Sequence, residues 1–259
     1  MQPEIGPIKT FGVMFALGFL AAGAVIARRL KELDKPVDWA YEMMFAALAG
    51  GLIGSRLWYL LGHTSQFADD PLGSAFGGTG LVWYGGAIGG AVFVVGWAWR
   101  RNFLSIAMLD LCAVPLALGY AIGRIGCQIS GDGDYGEPSD LPWAMAYPEG
   151  TVPTDDEVHP TPIYETLAMG LVAYVLWTLR DRVRPAVLFA LYLVCAGVER
   201  FLVEFVRRND AVLVGLTEAQ LVSVVMAGAG VAWLALIYRR NGTLKTEDGL
   251  QSDRPALAT

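Results

Sequence analysis

Charged residues are scarce: Asp, Glu, Lys and Arg make up 17% of the 259 residues, against about a quarter of a soluble domain. That shortage excludes an ordinary soluble globular chain, because its surface could not be solvated. Histidine occurs twice and cysteine three times. Cys112, Cys127 and Cys195 fit neither metal-ligand spacing nor an even disulfide set. No metal and no cofactor is therefore expected. Short segments alternating apolar and polar residues, the mark of a membrane barrel, are missing. So is an internal repeat of the kind many transporters carry. Lys and Arg are absent from 63–80 and from Cys127 to Pro160, and the second stretch holds eight acidic residues. It excludes a docking arm for nucleic acid or for anionic lipid.

What the chain has in excess is apolar length. Apolar residues reach 54%, and a spanning helix needs about 20 of them in a row. Seven runs qualify: 8–27, 40–62, 81–99, 104–125, 161–179, 186–206 and 212–238. The expectation is an all-α integral membrane protein with seven transmembrane helices. Residues 1–240 form one membrane domain, 63–80 and 127–160 are external loops, and 241–259 is a polar, disordered tail. The first run lacks a small-residue cleavage pattern, so it is expected to remain as a helix.

Basic residues collect on the cytoplasmic side of membrane helices. Arg28, Arg29, Lys31 and Lys35 follow the first run, Arg100 and Arg101 the third, Arg180, Arg182 and Arg184 the fifth, and Arg239, Arg240 and Lys245 the last. These clusters alternate with the two basic-free loops. The N-terminus is therefore expected outside and the C-terminus in the cytoplasm.

The residues that break this rule carry the chemistry. Arg56, Arg124, Arg200, Arg207 and Arg208 lie in or at the outer ends of apolar runs. A charge in a spanning segment is costly and usually faces a cavity or a partner. Either acidic side chains or a bound phosphate could compensate these cations, and the planar guanidinium fork suits phosphate. Arg200, Glu204 and Arg207 or Arg208 fall on one helical face. Glycines accompany the arginines: Gly50 and Gly54 in a GxxxG pattern, Gly85-Gly86 and Gly89-Gly90 after Tyr84, and five in Gly123–Gly136. Such runs serve either close helix packing or close approach of backbone amides to an anion. His159-Pro160-Thr161-Pro162 with Tyr164-Glu165 opens the fifth helix, with Pro162 as a start signal and Thr161 as a cap. In the segment between, Tyr135, Trp143 and Tyr147 are expected at headgroup level.

Taken together, Gly54-Ser55-Arg56, Tyr84-Gly85-Gly86, Gly123–Gly136, His159-Pro160 with Tyr164-Glu165, and Arg200-Phe201 with Val203-Glu204-Phe205 and Arg207 resemble the prolipoprotein diacylglyceryl transferase family. The resemblance implies transfer of the diacylglyceryl group of phosphatidylglycerol to the lipobox cysteine thiol of a secreted prolipoprotein. It places the protein in the bacterial inner membrane with its active site toward the outer leaflet. Its implied partners are phosphatidylglycerol, the prolipoprotein signal peptide and the membrane, and no nucleic acid. Arg124 would hold the lipid phosphate, and Arg200 would stabilise charge on the departing glycerol phosphate. Where the family often has a histidine before the glycine doublet this chain has Tyr84, so Tyr84 and His159 are the proton-transfer candidates. Cys127 stands where asparagine is common, and Phe11 and Phe15 where tyrosines are usual. The substrate-binding set is Arg56, Gly85, Gly86, Cys127, Ser130, Gly131, Asp132, Gly136, Tyr164, Glu165, Glu204 and Arg207. The alternative is a non-catalytic binder or flippase of anionic lipid that kept the arginine pocket.

Overall fold

The computed structural model describes residues 3–5, 8–64 and 82–246. Seven α-helices carry the described fold: α1 (Thr10–Glu32), α2 (Asp38–Gly62), α3 (Trp83–Arg100), α4 (Asp110–Ser130), α5 (Thr161–Leu179), α6 (Val187–Val203) and α7 (Glu218–Asn241). Two antiparallel pairs complete it, β1 (Glu4–Ile5) with β2 (Ile8–Lys9) and β3 (Met145–Tyr147) with β4 (Thr154–Val158). Five of the helical stretches, 10–32, 38–62, 107–130, 161–179 and 218–241, are long and apolar enough to cross a membrane. The other two, α3 and α6, are shorter at 18 and 17 residues. Large apolar side chains such as Leu20, Phe45, Leu167 and Val225 are exposed, as on helices whose solvent is lipid. The expected loop at 63–80 lies, from residue 65 onward, outside the described residues, as does the tail beyond residue 246.

The described residues fall into two compact units, 3–26 with 106–246, and 27–64 with 82–105. In the second unit α2 and α3 pack backbone to backbone. A Cβ on Gly89 would lie 2.2 Å from the Gly50 carbonyl oxygen, and one on Gly85 would lie 2.4 Å from that of Gly54. Only glycine fits, and it is the contact that overrides glycine's poor helix propensity. Ser55 reinforces the pair by donating to the Val82 carbonyl at 2.7 Å. At the other end of these helices Glu42 accepts from Trp97 Nε1 at 2.7 Å and from Arg101 Nε at 2.9 Å.

In the first unit α4, α5 and α6 share a core of Ala113, Val114, Ala117, Ala121, Met169, Ala173, Leu176, Val187 and Leu188. Small residues bring neighbours close again, Gly197 and Gly230 at the α6–α7 contact and Gly18 of α1 near the Gly119 carbonyl. Asp110, 4% exposed, caps α6 by accepting the N–H groups of Ala186 (2.7 Å) and Phe189 (2.8 Å). Its negative charge meets the positive end of that helix. Thr217 and Gln220 form a capping box at the start of α7. After α7 the chain pairs with the α5–α6 connection: Arg184 N–H donates to Leu244 O and Thr246 N–H to Arg182 O.

The structure revises several expectations. α4 does not end at residue 125 but runs through Ser130, so Gly123 and Gly126 are helical and do not form a phosphate-cradling loop. A side chain at Gly126 would press on Met14 of α1 at 3.0 Å, so close packing decides the glycine. Gly131 ends the helix at φ 57, its N–H returning to the Cys127 carbonyl at 2.9 Å, the left-handed stop that glycine favours. Thr161 is the first residue of α5 and caps nothing; its hydroxyl donates instead to the Asp134 carbonyl at 2.5 Å. Tyr135 and Tyr147 pack against each other. They are 4% and 0% exposed, stacked 4.8 Å apart, and form a small core with Val158. Burial pushes the Tyr147 phenol up to about 12.

Candidate active site

The C-terminal turns of α4, the first turn of α5 and the end of α6 bring charged side chains together around Glu165. Glu165 is fully buried and its two oxygens face four donors. Tyr120 Oη donates at 2.7 Å, Arg200 Nη1 lies at 3.1 Å, Arg124 Nε at 3.2 Å and Arg207 Nη1 at 3.5 Å. A buried carboxylate without partners would be prohibitively costly; here each oxygen is shared between cationic or hydroxyl donors. Helical spacing explains the local geometry. Tyr120 precedes Arg124 by one turn, and the guanidinium lies 4.9 Å from its ring centroid, a cation–π distance.

Two further carboxylates complete the cluster. Glu204, also inaccessible, lies 2.9 Å from Arg200 Nη2 and 3.9 Å from Arg207 Nε. Thr217 Oγ1 and Asn209 Nδ2 donate to its other oxygen at 2.8 and 2.6 Å. Asp134 pairs with Arg207 Nη2 at 2.5 Å and with Arg124 Nη1. Burial pushes the Asp134 carboxyl up, but Arg124 and Arg207 beside it outweigh this and hold it below the usual carboxylate range. Arg124, Arg200 and Arg207 are thus matched by Glu165, Glu204 and Asp134. Arg208 stays out of this cluster and lies over the Tyr135 ring at 5.0 Å.

The remaining expected site residues of this unit surround the cluster. Cys127 Sγ lies 3.6 Å from both Arg124 Nη1 and Asp134 Oδ2. Asp132 accepts the Asp134 N–H at 3.3 Å, and Ser130 Oγ donates to the Cys127 carbonyl at 3.3 Å. Donor atoms of Cys127, Asp132 and Asp134 lie within 4.8 Å of one another, but a guanidinium already supplies the positive charge there. Gly136 is a point of close backbone approach: its N–H donates to the His159 carbonyl at 2.8 Å, and a Cβ would lie 2.1 Å from the Val206 carbonyl oxygen. The adjacent Glu137 N–H donates to that same carbonyl, so the acidic segment is tied to both α5 and the end of α6. His159 Nδ1 faces the Tyr164 hydroxyl at 3.3 Å, and Tyr164 accepts from Trp143 Nε1 at 2.7 Å.

Arg56, Tyr84, Gly85 and Gly86 belong to the second unit. Arg56 sits 5.2 Å from the Tyr59 ring centroid, Tyr84 is half-buried with its ring edge-on to Trp83, and Gly85 packs on α2. None of Tyr120, Asp134, Thr161, Asn209 and Thr217 was expected at the site from the sequence. Tyr120 alone left a usable signal, its one-turn spacing from Arg124.

Fold and site define a multi-span helical membrane protein with guanidinium groups from separate segments gathered on shared buried carboxylates. The model of the family described as prolipoprotein diacylglyceryl transferase matches residues 3–236. The phosphatidylglycerol–prolipoprotein diacylglyceryl transferase of Clostridium tetani is 34% identical over 202 residues, 77% of this chain and 81% of that protein. The protein of the same name from Pseudomonas paraeruginosa is 33% identical over 254 residues, 92% of each chain, and that of Pseudomonas putida 32% over 261 residues, 93% of this chain and 94% of its own. The chain belongs to the prolipoprotein diacylglyceryl transferase family.

Proposed function

We propose that this protein transfers the diacylglyceryl group of phosphatidylglycerol to the lipobox cysteine thiol of a secreted prolipoprotein. The observation that carries the reading is the convergence of Arg124, Arg200 and Arg207 on Glu165. The reaction replaces a carbon–oxygen bond by a carbon–sulfur bond. Thiolate sulfur attacks the glycerol carbon that bears the phosphate, and glycerol phosphate leaves with the electron pair. Negative charge grows on the departing oxygen, where one fixed hydrogen-bond donor is worth about 10²–10³ in rate. Arg124 is assigned to the lipid phosphate and Arg200 to the leaving group, with Glu204 and Arg207 shaping the pocket between them. By the family likeness Arg56, Gly85 and Gly86 are assigned to substrate binding and Tyr84, with His159, to proton transfer.

The topology proposed with it has seven spans in the bacterial inner membrane, the N-terminus outside, the C-terminus cytoplasmic and the site toward the outer leaflet. The alternation of basic clusters with the basic-free loops supports this orientation. Expression where the native transferase is depleted tests the reading: diacylglyceryl-modified precursor is expected. Unmodified precursor accumulating beside well-expressed, folded protein would reject it. Tyr84 and Cys127 favour one other reading, a binder or flippase of anionic lipid without catalysis. Phosphatidylglycerol binding with no transfer to a lipobox peptide would select it.

A further inference from the structure

The guanidinium cluster has no spare positive charge. Three arginines face three carboxylates, so a phosphate entering this arrangement meets an electrically neutral site. One carboxylate must give way. Glu165 and Glu204 are at 0% side-chain exposure, whereas Asp134 is at 35%. Asp134 is also the one carboxylate of the three that bridges Arg124 and Arg207 from outside the helices, in the segment after α4. Its main chain is fixed by Thr161, whose hydroxyl holds its carbonyl at 2.5 Å, so a side-chain rotation suffices to release the carboxylate. Two guanidinium groups spanned by two carboxylate oxygens present the geometry a phosphate would take up with two of its own oxygens.

We propose that Asp134 holds the place of the substrate's phosphate, is displaced from Arg124 and Arg207 when that phosphate binds, and then accepts the proton of the incoming thiol. The proton-accepting half rests on the transferase reading; the displacement half requires only that a phosphate enters the cluster. The order matters chemically. While pinned by two cations, the carboxylate is too weak a base to deprotonate a thiol. Once the phosphate neutralises those cations, the freed carboxylate regains basicity at the moment a substrate is in place. The thiol S–H bond breaks toward Asp134 Oδ, sulfur bonds to the diacylglyceryl carbon, and the carbon–oxygen bond breaks toward the phosphate. The proton then passes from Asp134 to the glycerol phosphate as it leaves.

Asp134→Asn in the full-length purified protein separates the two halves. Removing the internal anion leaves the cluster with one net positive charge. Phosphatidylglycerol is expected to bind about tenfold more tightly, the scale of one charge-assisted hydrogen bond. Inorganic phosphate, assayed alongside, is expected to tighten too, and diacylglycerol is not. Transfer to a lipobox peptide is expected to slow at least about 100-fold, the lower range for loss of a general base. A merely structural aspartate would weaken binding or leave it unchanged, and either result overturns the displacement. Equal tightening toward diacylglycerol overturns it as well. Transfer at the wild-type rate overturns the proton role. If wild type binds lipid but transfers nothing, the transferase reading fails while the binding comparison still decides the displacement. Should Asp134→Asn not fold, infrared difference spectra of wild type labelled with ¹³C-aspartate decide the matter. A shifted aspartate carboxylate stretch on adding phosphatidylglycerol is expected, and an unchanged band refutes the proposal.

Discussion

Glu165→Gln is the substitution that probes the cluster most severely. The change keeps the volume of a side chain that is 0% exposed and removes its charge. Three guanidinium groups lose their shared counterion at 3.1, 3.2 and 3.5 Å, and the new amide N–H₂ is forced toward one of them. Unit charges about 4 Å apart interact by about 4 kcal/mol at an effective dielectric constant of about 20. Breaking a buried pair by removing one partner costs about 3–5 kcal/mol, because the other charge stays buried and uncompensated. Glu204 and Asp134 still balance part of the charge, so the expected loss of unfolding free energy is about 3 kcal/mol. Reversible unfolding in mixed micelles, followed by tryptophan fluorescence, measures it. A loss below about 1 kcal/mol, the range of solvated surface pairs, would refute the claim that Glu165 anchors the arginines in a desolvated site.

Other expectations are as direct. Arg124→Ala and Arg200→Ala should each abolish transfer while the protein remains folded by circular dichroism; wild-type turnover in either would refute the assigned roles. Gly89→Leu should separate α2 from α3, since even a Cβ there would lie 2.2 Å from the Gly50 carbonyl oxygen; a wild-type melting temperature would contradict the close packing. The acid limb of stability should also depend on Asp134, whose carboxyl is held below its ordinary value. A depressed carboxylate contributes stability above its unfolded pKa, about 3.9, and loses it as pH falls through the lower folded value. The stability difference between wild type and Asp134→Asn should therefore be flat from pH 7 to about 5 and change only below about 4. A change centred near pH 6 would mean another group is being titrated.

Much of the architecture was legible because apolar length is a strong signal. The run 161–179 coincides with α5 (Thr161–Leu179), bounded by Pro162 at one end and basic residues at the other. Arg200 and Glu204 stand one turn apart as helical spacing requires, but α6 ends at Val203, a 3-10 turn covers Glu204–Val206 and Arg207 is extended; all three still enter the cluster. What the sequence hid was long-range. The glycines at 123 and 126 suggested a loop, but the requirement for α1 to approach Gly126 outweighs their low helix propensity. Asp134 looks like any other acid in its segment; only the fold of 131–160 onto α5 and α6, through Gly136 and Thr161, brings it to Arg124 and Arg207. Tyr120 stands one turn before Arg124 in the sequence, but its partner Glu165 lies on another helix.

Purified protein in phosphatidylglycerol nanodiscs, given a synthetic lipobox peptide and followed by intact-mass spectrometry, tests the central claim most directly. The peptide should gain the mass of one diacylglyceryl group on its cysteine, with glycerol phosphate released in equal amount. Peptide of unchanged mass, recovered from folded protein that binds the lipid, would contradict it.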